Sequence, residues 1–347
     1  MTAALYFFRR LIWGSSDRAG LLSLPWRYRR TWAYLWRTQG WRACWRFLQV
    51  KIVARGERVG LALLDPVSLL APDWTPLPRM LELEVTTRCH LRCPYCEATT
   101  FPLAYRNQDL TLARFVGLLD QLPGLRYLNL TGEGSSFLNR DFPAMLAECR
   151  RRGIYVAAID SFSALGTFQM RCLLEAAHKV PISLDAACVE TYERLRVGAS
   201  WQRTLANVRR FLALRHAAGQ PLPEVAFRFV VTQDNYRDLP RFPALVASLM
   251  DGYQQDGIDG FVELVGLLEF RGTEHLVWEP EPEVVEATKV DLRRYGLPHA
   301  WSHPSHDPAR KPPMHRCAAW GEPYILVNGD VVPCCSVLMS ARRPWLH

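Results

Sequence analysis

The chain has no long apolar run. Stretches such as residues 61–64 and 229–231 stop after a few positions, far short of the ~18–20 residues that a bilayer crossing needs, so no transmembrane helix is expected. Nor is a secretory signal expected. Residues 1–13 are largely apolar, but Arg9 and Arg10 follow the apolar run instead of preceding it, and no small-residue cleavage site comes next. Cysteine is sparse. Ten in 347 residues are too dilute for a disulfide scaffold, and without export they are expected to stay reduced in the cytoplasm, where clustered thiols serve metal or redox chemistry. Acidic residues are scarce at the start: residues 1–80 hold thirteen Arg or Lys against Asp17, Glu57, Asp65 and Asp73, a local charge of +9 in a chain whose total is +8. What is present, 49% apolar and 22% charged residues, is the composition of a globular protein and excludes a disordered or collagen-like chain.

Three regions follow from the patterning. In residues 1–79, Trp26, Trp32, Trp36, Trp41 and Trp45 interleave with Arg27, Arg29, Arg30, Arg37, Arg42 and Arg46. Trp32, Trp36, Ala43 and Phe47 recur at helical spacing, which predicts a helix with an aromatic stripe, and the Pro-containing stretch 71–78 reads as a linker. In residues 80–270, β-rich runs at 81–86, 126–131, 154–160, 180–185, 225–232 and 260–266 alternate with helical runs such as Leu112, Phe115, Val116 and Leu119. Six such units predict an α/β fold with a parallel sheet, either open and doubly wound or curled into part of a barrel, with its chemistry beyond the carboxyl ends of the strands. In residues 271–347 the order fades. Residues 279–315 read as an extended connection with one helical piece near 284–294, and a hairpin over 324–332 turns at Asn328-Gly329-Asp330.

Cys89, Cys93 and Cys96 form a CxxxCxxC arrangement on the loop that leaves the first strand. Three thiolates at this spacing can wrap one compact metal centre while a fourth position stays open. A structural zinc site would be closed by a fourth Cys or His nearby, and His90, the neighbour of Cys89, cannot easily turn inward with it. Three ligands suit a four-iron cluster with one iron left free. With Tyr95 just before the last cysteine, the triplet resembles the signature of the radical S-adenosylmethionine (SAM) superfamily. The resemblance implies a partial (β/α)6 TIM-like barrel and a [4Fe-4S] cluster on Cys89, Cys93 and Cys96. It further implies that SAM chelates the fourth iron through its amine and carboxylate, and that a reductase or flavodoxin-type donor supplies an electron. The sulfonium is then cleaved, and a 5′-deoxyadenosyl radical takes hydrogen from a substrate.

Other positions are assigned by the same resemblance. The segment LNLTGEGSSFLN, residues 128–139, is similar to the family's glycine-rich segment for the SAM amine. Gly132, Glu133 and Gly134 align, while Ser135 and Ser136 stand where Glu and Pro are usual, so a carboxylate role there passes to Glu133. Alternation puts Ser183 and Asp185 on one face of the fourth strand; there they resemble residues that reach the SAM ribose or carboxylate, and Arg196 resembles an arginine that grips the carboxylate. The opposing reading makes Asp185 a cap and Arg196 a solvated side chain. Residues 231–235 resemble the adenine-contact region, although a loop with a helix cap is the preferred reading. Cys317, Gly329 and Cys334 resemble the opening of the SPASM and twitch auxiliary-cluster domains. With only Cys335 beyond them, a second iron-sulfur cluster would lack a fourth thiolate, so the tail is shortened, completed by another group, or without its cluster.

Cys44, Cys149, Cys172 and Cys188 are assigned to packing. His299, His303, His306 and His315 lie in a Pro-rich stretch and are not expected to bind metal. The basic head has three readings: contact with an anionic membrane surface, a grip on an acidic peptide or nucleic acid, or tryptophans packed on the barrel with solvated arginines, which is preferred. The tail resembles enzymes that act on ribosomally made peptides, sulfatases or small biosynthetic intermediates, and a peptide substrate is preferred. The alternative from another class is a non-catalytic zinc protein whose basic head binds nucleic acid.

Overall fold

A computed structural model describes residues 28–50, 77–99, 103–253, 259–267, 272–302 and 323–332, together with a two-residue strand pair, Gly14–Ser15 with Arg18–Ala19. All six expected strands are present: β1 (Met80–Glu84), β2 (Tyr127–Thr131), β3 (Tyr155–Ala158), β4 (Lys179–Ser183), β5 (Glu224–Val231) and β6 (Phe261–Gly266). Among the described residues two helices precede them, α1 (Arg29–Gln39) and α2 (residues 41–50). Between and after the strands run α3 (Leu112–Gln121), α4 (Phe142–Arg152), α5 (Thr167–Ala176), α6 (Val189–Leu195), α7 (Trp201–Ala217), α8 (Phe242–Met250) and α9 (Pro282–Arg294). The remaining strands are β7 (His299–Ser302), β8 (Tyr324–Ile325) and β9 (Val331–Val332).

The sheet order is β9-β8-β1-β2-β3-β4-β5-β6-β7, and every pairing is parallel except β8 with β9. Consecutive parallel strands need crossovers, and the intervening helices supply them, as in a partial barrel of the TIM type. β3 is buried along its whole length and β4 nearly so, as expected of strands covered on both faces. Local chemistry sets the helix ends. The Thr111 and Ser200 side chains accept from the backbone N–H of Arg114 and Arg203 to start α3 and α7. Gly153, in the left-handed region, ends α4. Cys149 is buried in α4, which pushes its thiol up to about 12, and Cys44 is buried in α2, both as packing residues.

Three expectations are corrected. The single N-terminal helix is two, broken at Gly40 with φ 75°. Residues 299–302, expected to lie in an extended connection, form β7 on the edge of β6. The tail hairpin is present, and its first strand extends the sheet beside β1, with Tyr324 opposite Glu82. Arg114 of α3 donates to the carbonyls of Val327 and Asn328 and fixes the turn. Cys317, Cys334, Cys335, His303, His306 and His315 lie outside the described residues. Among the described residues no helix is long and apolar enough to cross a membrane.

The preferred reading of the head holds in part. Leu35, Cys44, Phe47 and Val50 bury against Tyr155 and Leu222, with Trp32 packed beside them. Trp36, Trp41 and Trp45 instead face outward. Tyr155 opens β3 and Leu222 shortly precedes β5, so the head caps the pole where the strands begin.

Candidate active site

At the other pole, β1 runs into the cysteine loop, which is pinned on several sides. Thr86 donates to Asp109 at 2.7 Å, and Arg88 pairs with the same carboxylate and reaches the Leu138 carbonyl. The Asn139 amide bridges the carbonyls of Val85 and Leu110, both at 2.8 Å. The Ser135 N–H donates to the Arg88 carbonyl at 2.8 Å, so the loop after β2 lies directly on the cysteine loop. The glycines permit this approach. A Cβ on Gly134 would stand 2.3 Å from the Thr86 carbonyl oxygen, and one on Gly132, where φ is 140°, would meet the Glu84 side chain at 2.8 Å.

Cys89, Cys93 and Cys96 line one cavity of about 470 Å³ together with Tyr95, Gly132, Glu133, Gly134, Ser135, Ser183 and Arg196. Its size is that of a small-molecule site. Cys89 is exposed, Cys93 is buried and Cys96 is half-buried. Ser135 Oγ lies 3.4 Å from Cys89 Sγ and 2.9 Å from His90 Nδ1, and the other ring nitrogen of His90 meets Ser163 at 2.7 Å, so His90 is turned away from the thiols. Cys96 donates to Glu133 at 2.9 Å; burial first, and that carboxylate second, hold its thiol well above the usual range. Burial raises Cys93 as well, opposed by the Arg196 guanidinium.

Of the expected ligand contacts, Ser183 and Arg196 reach the cavity and Asp185 sits behind its wall. β4 ends at Ser183, and Asp185 takes φ 59°, which breaks the alternation assumed for it. Its carboxylate, fully buried, accepts from Tyr95 at 2.6 Å, from the Val230 N–H at 2.7 Å and from Arg196. Asp185 therefore positions Tyr95 and Arg196, and the solvated reading of Arg196 fails. The 231–235 segment is a loop in which Asn235 accepts from the Thr232 N–H and donates to the Asp185 carbonyl, while its side chain makes no capping bond to the short helix that follows.

Polar residues on the floor of the cavity were missed. Glu82, held up by burial, accepts from Asn129 at 2.9 Å. Arg228 and Lys179 both pair with Glu263, whose carboxyl they hold down at about 2 against the cost of burial. Asp160, raised to about 6 by burial, and Tyr324 of the tail complete the lining. The signal was available in LELE, LNLT, FRF and VELV, where polar residues take every second place in the strands.

The donor set fits the group that the triplet implies. Three thiols share a wall with a bare glycine backbone and with Arg196 Nε, which is buried without a hydrogen-bond partner.

Comparison with known proteins agrees. Residues 83–221 match the family model of the Radical SAM superfamily. PqqA peptide cyclase of Xanthomonas euvesicatoria is 27% identical over 272 residues, covering 75% of this chain and 68% of that protein. Streptococcus suis SuiB bound to S-adenosylmethionine has a similar fold, with a TM-score of 0.62 at 14% identity over 82% of this chain and 66% of the other. SuiB bound to its precursor peptide SuiA gives 0.58 at 13% identity, over 84% and 65%. The chain thus spans about two thirds of the length of the proteins it resembles. The matched segment runs from β1 to just beyond α7 and carries all three thiols, and together with the fold and the cavity it supports reading the chain as a radical SAM enzyme.

Proposed function

We propose that this enzyme modifies a peptide in the cytoplasm, with SAM held over a [4Fe-4S] cluster on Cys89, Cys93 and Cys96. The observation that carries the reading is one cavity that joins the thiols to a deep polar floor. When bound, the cluster and SAM supply a carbon-centred radical able to take hydrogen from an unactivated position. The chain's own residues bind and orient. Arg196 Nε offers its free donor to the SAM carboxylate, the backbone from Gly132 to Ser135 lies open to the amine, and Ser183 serves the ribose. Glu82, Asn129, Arg228 and Tyr324 face the substrate. A peptide substrate is supported by the relatives, a peptide cyclase and an enzyme solved with its precursor peptide. A reductase or flavodoxin-type protein is the electron donor.

A SPASM- or twitch-like second cluster drawing on Cys317, Cys334 and Cys335 is supported by the hairpin that precedes Cys334. Iron content tests it: about four per chain without it and about eight with it. The substrate is tested with a peptide encoded beside the gene, deuterated at its side chains. Deuterium entering 5′-deoxyadenosine supports the reading; turnover on a small molecule with none on any peptide overturns it.

A further inference from the structure

The N-terminal helices carry a second surface, independent of the radical chemistry. The inner face of α1 and α2 is fixed: Phe47 packs edge-on against Tyr28 at 5.1 Å and lies 6.3 Å from Tyr155, which stacks on Tyr127 and His178. The Arg46 guanidinium lies across Gly153 and anchors α2 to the barrel. The outer face is therefore held on a rigid base.

That face has an unusual composition. Trp36, Trp41 and Trp45 are 63%, 60% and 52% exposed, whereas large aromatic side chains are mostly covered in a folded protein. Trp41 and Trp45 stand one turn apart on α2, and Trp36 lies in the last turn of α1. Arg29, Arg30, Arg37 and Arg42 are exposed around them, and Arg42 lies 5.8 Å over the Trp41 ring. No Asp or Glu occurs from residue 28 to residue 50. Among the described residues, Glu175, itself exposed, lines the cavity between these helices and the barrel, and Glu224 meets Tyr155.

We infer that this face docks the enzyme on an anionic membrane surface. Tryptophan favours the boundary between headgroups and acyl chains, where its ring is apolar and its N–H is wet. Arginines beside it meet anionic headgroups, each strengthening association by roughly fivefold. An acid-free face of this kind complements that charge. The topology supports the same occupant. The face lies where strands begin and the cysteine cavity where they end, about 17 Å away along a five-residue strand. Docking thus leaves the cavity mouth open toward the cytoplasm.

The test is flotation of the full chain with phosphatidylcholine vesicles, alone or with roughly 30% phosphatidylglycerol. Binding to the anionic vesicles at least tenfold above the neutral ones is expected, falling tenfold or more in the triple variant Trp36→Ser, Trp41→Ser, Trp45→Ser. Brominated lipid should quench tryptophan fluorescence in the wild type more than in this variant. Should the triple variant melt early, Arg29→Gln, Arg30→Gln, Arg37→Gln, Arg42→Gln replaces it, with the same loss expected. Three results overturn the inference: equal affinity for both vesicles, undiminished binding by the variants, or binding to an oligonucleotide that exceeds binding to anionic vesicles. SAM cleavage in solution is expected to be unchanged in these variants, so the two readings fail separately.

Discussion

The two poles of the barrel are built in different ways. At the cysteine pole, backbone presses on backbone, glycines occupy places with no room for a methyl group, and charged groups are committed to one another. At the opposite pole, large side chains stack between helix and sheet and leave an outer face unconstrained. The difference teaches where the sequence has freedom: the first pole holds geometry and the second holds area.

Substitutions can sharpen or break this contrast. The largest effect is expected at Asp185, whose carboxylate serves Tyr95, Arg196 and the Val230 N–H. Asp185→Asn leaves a buried guanidinium without its counter-charge and should cost about 3–5 kcal/mol, with weaker SAM binding by calorimetry. Gly134→Ala drives a methyl group into the Thr86 and Arg88 carbonyls; a loss of about 2–3 kcal/mol is expected by denaturant unfolding, with loss of iron retention. An unchanged melt would show that the two loops have slack.

Glu263 of β6 pairs with Lys179 and with Arg228, which lines the cavity. Because its folded pKa of about 2 is below the ordinary carboxylate value, its stabilisation is present above about pH 4.5 and is lost as pH falls toward 2. Its cationic partners are 28% and 31% exposed, which screens the pairs, so Glu263→Gln should cost about 2 kcal/mol at pH 7. The deficit should shrink near pH 3; a deficit constant from pH 7 to pH 3 would contradict the pairing. The smallest effect is at Gly117, inside α3 with nothing within 4 Å of an added Cβ. Gly117→Ala should stabilise by about 0.5–1 kcal/mol, the opposite sign to Gly134→Ala.

Much of this was legible in sequence for a local reason. Apolar runs with turn residues between them mark six strands, and cysteine spacing is itself a chain-local geometry. Gly132 and Gly134 could be recognised as points of close approach, but not that the approach is to the cysteine loop itself. Asp185 misled because alternation holds only while the strand lasts, and a left-handed residue two places past its end turns the side chain elsewhere. The pairing of β8 with β1 joins residues more than 200 apart, and no periodicity records such a contact. The exposure of Trp36, Trp41 and Trp45 was equally hidden, since a stripe at helical spacing does not say which side of it meets the barrel.

The central claim is that three thiols on one wall of the barrel mouth serve radical cleavage of SAM. It is tested most directly by anaerobic reconstitution of the full chain beside its Cys93→Ala variant, with iron content and 5′-deoxyadenosine measured under reductant. The account predicts a brown protein with about four irons that releases 5′-deoxyadenosine, and a variant that does neither. A colourless zinc protein, or a variant that cleaves SAM as the wild type does, would contradict it.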